Sequence, residues 1–165
     1  MGDKSELITL MGAMVIFSLL LVNVNSFLGM NTKVQVQTEL NYTAVALAQN
    51  IIDSARKKAF DEAVTDNKKI SVIPDDFSLS LGPDMGETPK NYDDFDDYNN
   101  YSRIDTTAHE IYTTSVKVEY VTDSNYNQKS LVQTTHKKMI VHVISPSMKD
   151  TVVMSYVNSY HDNGK

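Results

Sequence analysis

The chain has 165 residues, a formal net charge of −6 and no cysteine. The acidic balance argues against a nucleic-acid partner, which needs a basic face. The missing thiols exclude disulfides, thiol catalysis and Cys-ligated zinc. The length suits one compact domain with an appendage.

The appendage comes first. Leu7 to Val22 is apolar apart from Thr9, Gly12 and Ser18, and no ionisable side chain occurs between Leu7 and Thr32. At 1.5 Å per residue such a helix reaches about 39 Å, enough to cross a bilayer. Asp3 and Glu6 outweigh Lys4 at its start and no small-residue cleavage box follows it, so it reads as a retained anchor rather than a secretory signal. Glu6 is the one acid at the head of this run. Two readings of it stand side by side. It can sit in the headgroup region near the positive end of the helix dipole. It can also pair with the terminal amine of a neighbouring copy packed in parallel with an axial stagger, which would specify register as a buried polar residue does in a coiled coil.

No proline or glycine occurs from Asn31 to Val64. Leu40, Ala44, Leu47, Ile51, Ala55 and Ala59 recur at spacings of three and four, the stripe of an amphipathic helix. The expected organisation is an apolar helix over 1–32, an amphipathic continuation over 33–64, and a globular β domain over 65–165 containing an irregular acidic loop at 82–110.

Pro74, Gly82, Pro83, Gly86 and Pro89 break the chain after the helix. Phe77, Leu79 and Leu81 alternate with serines, predicting a short strand. From Ile111 the period becomes two: Val116, Val118 and Tyr120 share a face. "TDSNYNQK" reads as a turn, "SLVQTTHKKMIVHVIS" as a long strand, "SPSMKD" as a second turn and "TVVMSYVNSY" as a third strand. Consecutive strands joined by short turns make an antiparallel meander, and the helix stripe is the element available to cover it. The fold class is therefore α+β: a long N-terminal helix on an antiparallel β-meander.

Three features together resemble the type IV pilin and pseudopilin family. An apolar N-terminal helix carries one early glutamate, which is the fifth residue when counted from Gly2. The apolar half runs on into the amphipathic "ELNYTAVALAQNIIDSARKKAFDE". "FDDYNNYS" and "VHVISPSMKDTVVMSY" look like segments of pilin-like subunits. The resemblance covers nearly the whole chain and is strongest in the first 60 residues.

It implies a structural subunit of an extracellular filament on the cell surface. The subunit would be held in the inner membrane before assembly, handled by pilus or secretion machinery, and polymerised into a helical homo-oligomer. Glu6 would pair with an adjacent subunit's amine, beside Leu7, Leu10, Met14, Phe17 and Leu21. Gly12, Asn23, Asn25 and Gly29 are the places where the helix would bend or unwind, with close helix–helix approach the other use for the glycines. A second class of function is a single-pass, membrane-anchored extracellular binding module that does not polymerise.

The remaining signals are weaker. Asp93, Asp94, Asp96 and Asp97 could offer oxygens to calcium, but the EF-hand's glycine and closing glutamate are missing, and the segment reads first as a solvated acidic loop. Four scattered histidines, His109, His136, His142 and His161, make no metal motif. Asn41 and Asn100 begin N-x-[ST] acceptor triplets. Nucleophile-elbow, phosphate-loop and zinc-protease motifs are absent, so the chain reads as a non-enzyme without a cofactor.

Overall fold

A computed structural model describes residues 2–65, 72–108 and 110–161. His109, named among the histidines above, lies outside them. The chain divides into two units, 1–40 and 41–165. One helix, α1 (Gly2–Ala55), supplies the first unit and opens the second.

In the second unit, α1 presents small and branched residues to the core. Ala44, Ala48 and Ala55 are fully buried, with Ile51 and Ile52 beside them. This part of the helix packs on an antiparallel sheet, as the α+β reading expects. Small residues on the buried stripe let a helix approach closely, so enlarging one forces the packing apart. Ala48→Leu is expected to cost about 1–3 kcal/mol, read as a lowered urea midpoint of the full chain in detergent.

The helix stops at Ala55, short of the expected end near residue 64. No local breaker causes this. Instead the backbone of Ala59 is taken by another partner: Ala59 N–H donates to Asp93 O at 3.1 Å and Phe95 N–H donates to Ala59 O at 2.9 Å. Tertiary pairing has overridden helix propensity. A short 3-10 turn, Glu62–Val64, follows.

Among the described residues the sheet has five strands: β1 (Ser102–Thr106), β2 (Ile111–Thr122), β3 (Asn125–Lys129), β4 (His136–Ile144) and β5 (Val152–Ser159). Their order is β1-β2-β4-β5, with β3 paired to the end of β2. Every pairing is antiparallel. On β2 the inward face is Tyr112, Thr114, Val116, Val118 and Tyr120; on β4 it is Lys137, Met139, Val141 and Val143. The alternation is the ordinary signature of a sheet with one face on the core.

Three expectations change. "TDSNYNQK" is not only a turn: Thr122 pairs with Asn125 across a two-residue connection, and β3 returns along β2. β1, within the segment expected to be an irregular acidic loop, pairs with β2 from Ser102↔Ser115 to Thr106↔Ile111. Phe77–Leu81 forms no strand. Phe77 is buried against Phe60 and Tyr160, with ring centroids 5.0 and 5.2 Å away, while Leu79 is exposed. The alternation there marks one anchored aromatic, not a sheet edge.

Candidate functional site

The first unit consists of α1 up to Leu40, and its apolar side chains from Leu7 to Val36 are exposed. Leu7, Leu10, Met14 and Phe17 are between 61% and 64% exposed and Leu21 is 48% exposed. These are the predicted assembly residues. The same exposure runs around the helix at Ile8, Ile16, Leu19, Leu20 and Phe27. A helix apolar all round is a buried or membrane helix, and this one is long and apolar enough to cross a membrane. Glu6 is exposed near its N-terminus.

Four of its polar side chains bond back to the helix backbone. Thr9 donates to Ser5 O at 2.9 Å, Ser18 to Met14 O at 2.8 Å, Asn23 to Leu19 O at 2.9 Å and Thr32 to Leu28 O at 3.0 Å. Each donates back into its own helix, so the three hydroxyls and one N–H of Asn23 enter an apolar medium already partnered. The helix is continuous through Gly12, Asn23, Asn25 and Gly29. Among the described residues, a Cβ at Gly12 or Gly29 would meet nothing within 4 Å, so no contact among them demands glycine at either place.

The second unit holds a polar cluster that the sequence reading did not assemble. Lys137 points inward from β4, directly opposite Tyr120 on β2. Its ammonium donates to Phe60 O at 2.8 Å, to Asp61 Oδ2 at 2.6 Å and to Asp96 Oδ1. Three donors meet three acceptors. Lys137 and Asp61 are fully buried and Asp96 is 2% exposed. The Phe60 and Tyr120 rings lie 4.6 and 5.3 Å from the nitrogen.

Asp61 is the hub. Its oxygens accept from Ala63 N at 3.1 Å, from Ser78 N at 3.1 Å and from Ser78 Oγ at 3.0 Å. Tyr120 Oη lies 3.1 Å from Asp61 Oδ2 and 2.9 Å from Ser78 O, sharing its one proton between them. Burial alone would raise the Asp61 carboxyl, but the Lys137 ammonium and these N–H donors outweigh it and hold it below the ordinary carboxylate range. Asp96 goes the other way: burial raises it, and the pull of Lys137 does not fully offset that. Burial and the proximity of Asp61 and Asp96 push the Tyr120 phenol up.

The acidic loop is not solvated. Asp94, Asp96 and Asp97 are buried, and only Asp93 of the four is exposed. Asp94 Oδ1 accepts from the N–H groups of Asp96 at 2.8 Å and Asp97 at 3.0 Å, capping the turn Asp96–Tyr98. Asp97 Oδ2 accepts from Asp93 N at 2.9 Å and Asp94 N at 3.1 Å. Carboxylates fold the loop by replacing backbone partners. Of the calcium candidates, Asp93 and Asp97 come together, joined by Glu87, with one oxygen from each within 4.8 Å of the others. Asp94 and Asp96 are engaged elsewhere. Asn41 is exposed on α1; Asn100 is exposed at φ 62°, on the loop entering β1.

Burial, and next the neighbouring Asp96, push Asp94 up to about 8. A carboxyl raised on folding stabilises the native state fully below its unfolded value and loses that contribution as pH rises through its folded value. Between 3.8 and about 8 the native chain therefore holds a proton that the unfolded chain has released, and stability should fall across that window. Asp94→Asn keeps the capping oxygen and removes the titration. Urea midpoints measured from acid to mildly alkaline pH should slope downward for the natural chain and run flatter for Asp94→Asn.

No protein-family model, curated protein or solved structure matches this chain. A long N-terminal apolar helix followed by an antiparallel sheet is an architecture compatible with a pilin-like subunit.

Proposed function

We propose that this chain is a structural subunit of an extracellular, type IV pilus-like filament that polymerises through the apolar half of α1. The observation that carries the reading is the uncovered run of apolar side chains from Leu7 to Met30. Burying one Leu, Met or Phe is worth about 1.5–3 kcal/mol, so the helix does not stay in water. A bilayer covers it before assembly, and copies of the same helix cover it afterwards. Both surroundings are apolar, so transfer between them exposes little to water. The cost of desolvating Glu6 is several kcal/mol, far below the summed gain from the helix, and pairing with a neighbour's terminal amine offsets it. The inner membrane and an assembly machinery are the partners this implies.

The second reading, a membrane-anchored binding module, draws on the same helix, since one span suffices to anchor a chain. It gives Glu6 no partner. The deciding experiment is microscopy of material sheared from producing cells, with mass identification of any fibre. Fibres containing this chain support the filament; its complete retention in the membrane fraction, with no fibre, supports the anchor.

A further inference from the structure

The Lys137 nitrogen touches two carboxyl groups inside a dry, aromatic-walled core. Amines and carboxylates do not condense in water, where both are solvated as ions and water drives the reverse reaction. Here Lys137, Asp61 and Asp96 are together removed from solvent, and the nitrogen meets Asp96 Oδ1 while Asp61 Oδ2 stands 2.6 Å away. Holding two reacting groups in this way is equivalent to effective molarities of about 10⁵–10⁸ M. We propose that Lys137 and Asp96 join spontaneously in an intramolecular amide, with Asp61 as the proton acceptor.

The environments of the two acids assign their roles. Asp61, held below the ordinary carboxylate range by its donors, is the ionised base. Asp96, raised by burial and held by fewer donors than Asp61, is the carboxyl that reacts in its protonated form in the proposed step. Asp61 takes a proton from the ammonium, and the freed lone pair attacks Asp96 Cγ. The N–C bond forms and the C–O bond to the hydroxyl breaks. One proton from the nitrogen reaches the departing hydroxyl through Asp61, and water leaves. The second proton lost by the nitrogen stays on Asp61. Atoms and charge balance without an outside reagent. The products hold no buried ion, so the reaction also removes the desolvation cost of the Lys137–Asp61 pair.

The bond would tie the acidic loop to the inner strand β4. In a chain without cysteine it would supply the covalent staple that a disulfide supplies elsewhere.

The test uses the full chain, extracted in detergent and then denatured. Its intact mass is expected to lie one water below the mass of Asp96→Ala after correction for the substitution. Digestion should release a branched peptide joining the segments that contain Asp96 and Lys137. Recovery of those segments only as separate linear peptides overturns the proposal. Asp61→Asn keeps the shape but cannot take the proton, and should cross-link at least about 100-fold more slowly. Cross-linking at the natural rate in that variant overturns the role given to Asp61.

Discussion

Relative to the chain in which Lys137 and Asp96 are not joined, Lys137→Met is expected to destabilise the sheet unit by about 3–5 kcal/mol, the usual result of removing one partner from a buried ion pair. Methionine fills nearly the same volume, so the loss is electrostatic rather than a cavity. It strips the donor from Phe60 O, Asp61 and Asp96 at once. Asp61 keeps Ser78, Ala63 and Tyr120, whereas Asp96 retains a weaker contact from Gly82 N at 3.4 Å. Against a typical total of about 5–15 kcal/mol, that loss leaves a marginal domain. The check is urea unfolding of the full chain in detergent, followed by the near-ultraviolet dichroism of its tyrosines. Lys138→Met is the control: Lys138 bonds Asn127 at the surface, 2.7 Å away, and should shift stability by no more than about 0.5 kcal/mol. Lys137→Met combined with Asp96→Leu removes the acid that was left unpaired and should recover part of the loss, a coupling of about 0.5–3 kcal/mol. Equal midpoints for Lys137→Met and the natural chain would show that the cluster contributes nothing to stability.

The cluster also marks the limit of what local sequence carries. The faces of β2 and β4 were legible because alternation is a local signal: Val116, Val118 and Tyr120 on one strand, Met139, Val141 and Val143 on the other. The same parity places Lys137 on the inward face of β4, and a lysine there calls for a buried acid. Which acid was not legible. Asp61 and Asp96 lie 76 and 41 positions away, and "DDFDDYNN" reads alike whether water or backbone N–H groups receive its carboxylates. The helix end at Ala55 was hidden for the same reason, since the pairing of Ala59 with Asp93 and Phe95 has no local signature. β1 alternates weakly, with Ile104 outward and Arg103 bonded to Asp105 at 2.8 Å on the half-buried side. β3 is exposed along its whole length, so no burial pattern could mark it. The apolar half of α1 was legible throughout, because a continuous apolar run is itself a local signal.

Glu6→Ala is expected to abolish filaments while leaving the chain in the membrane and its sheet unit folded. The substitution removes the one acid from the head of the apolar run, so insertion in a bilayer becomes easier. The exposed apolar faces of Leu7, Leu10, Met14, Phe17 and Leu21 are untouched, so helices still attract one another. What disappears is the term that favours one axial stagger over the others, together with the partner for each neighbour's amine. Truncating one side of a buried charge pair costs about 2–5 kcal/mol. In a polymer that cost recurs at each subunit interface, which raises the concentration needed for assembly by roughly 30- to 4,000-fold. Glu6→Gln keeps the shape and a hydrogen-bond acceptor but not the charge, and should fall between the two. The measurement is the mass of fibre sheared from cells carrying each variant, normalised to subunit in the membrane fraction. Under the anchor reading Glu6 meets only headgroups and water, and all three chains should reach the cell surface equally. Undiminished fibre from Glu6→Ala would remove the acid–amine pairing and leave apolar contact alone to set the register.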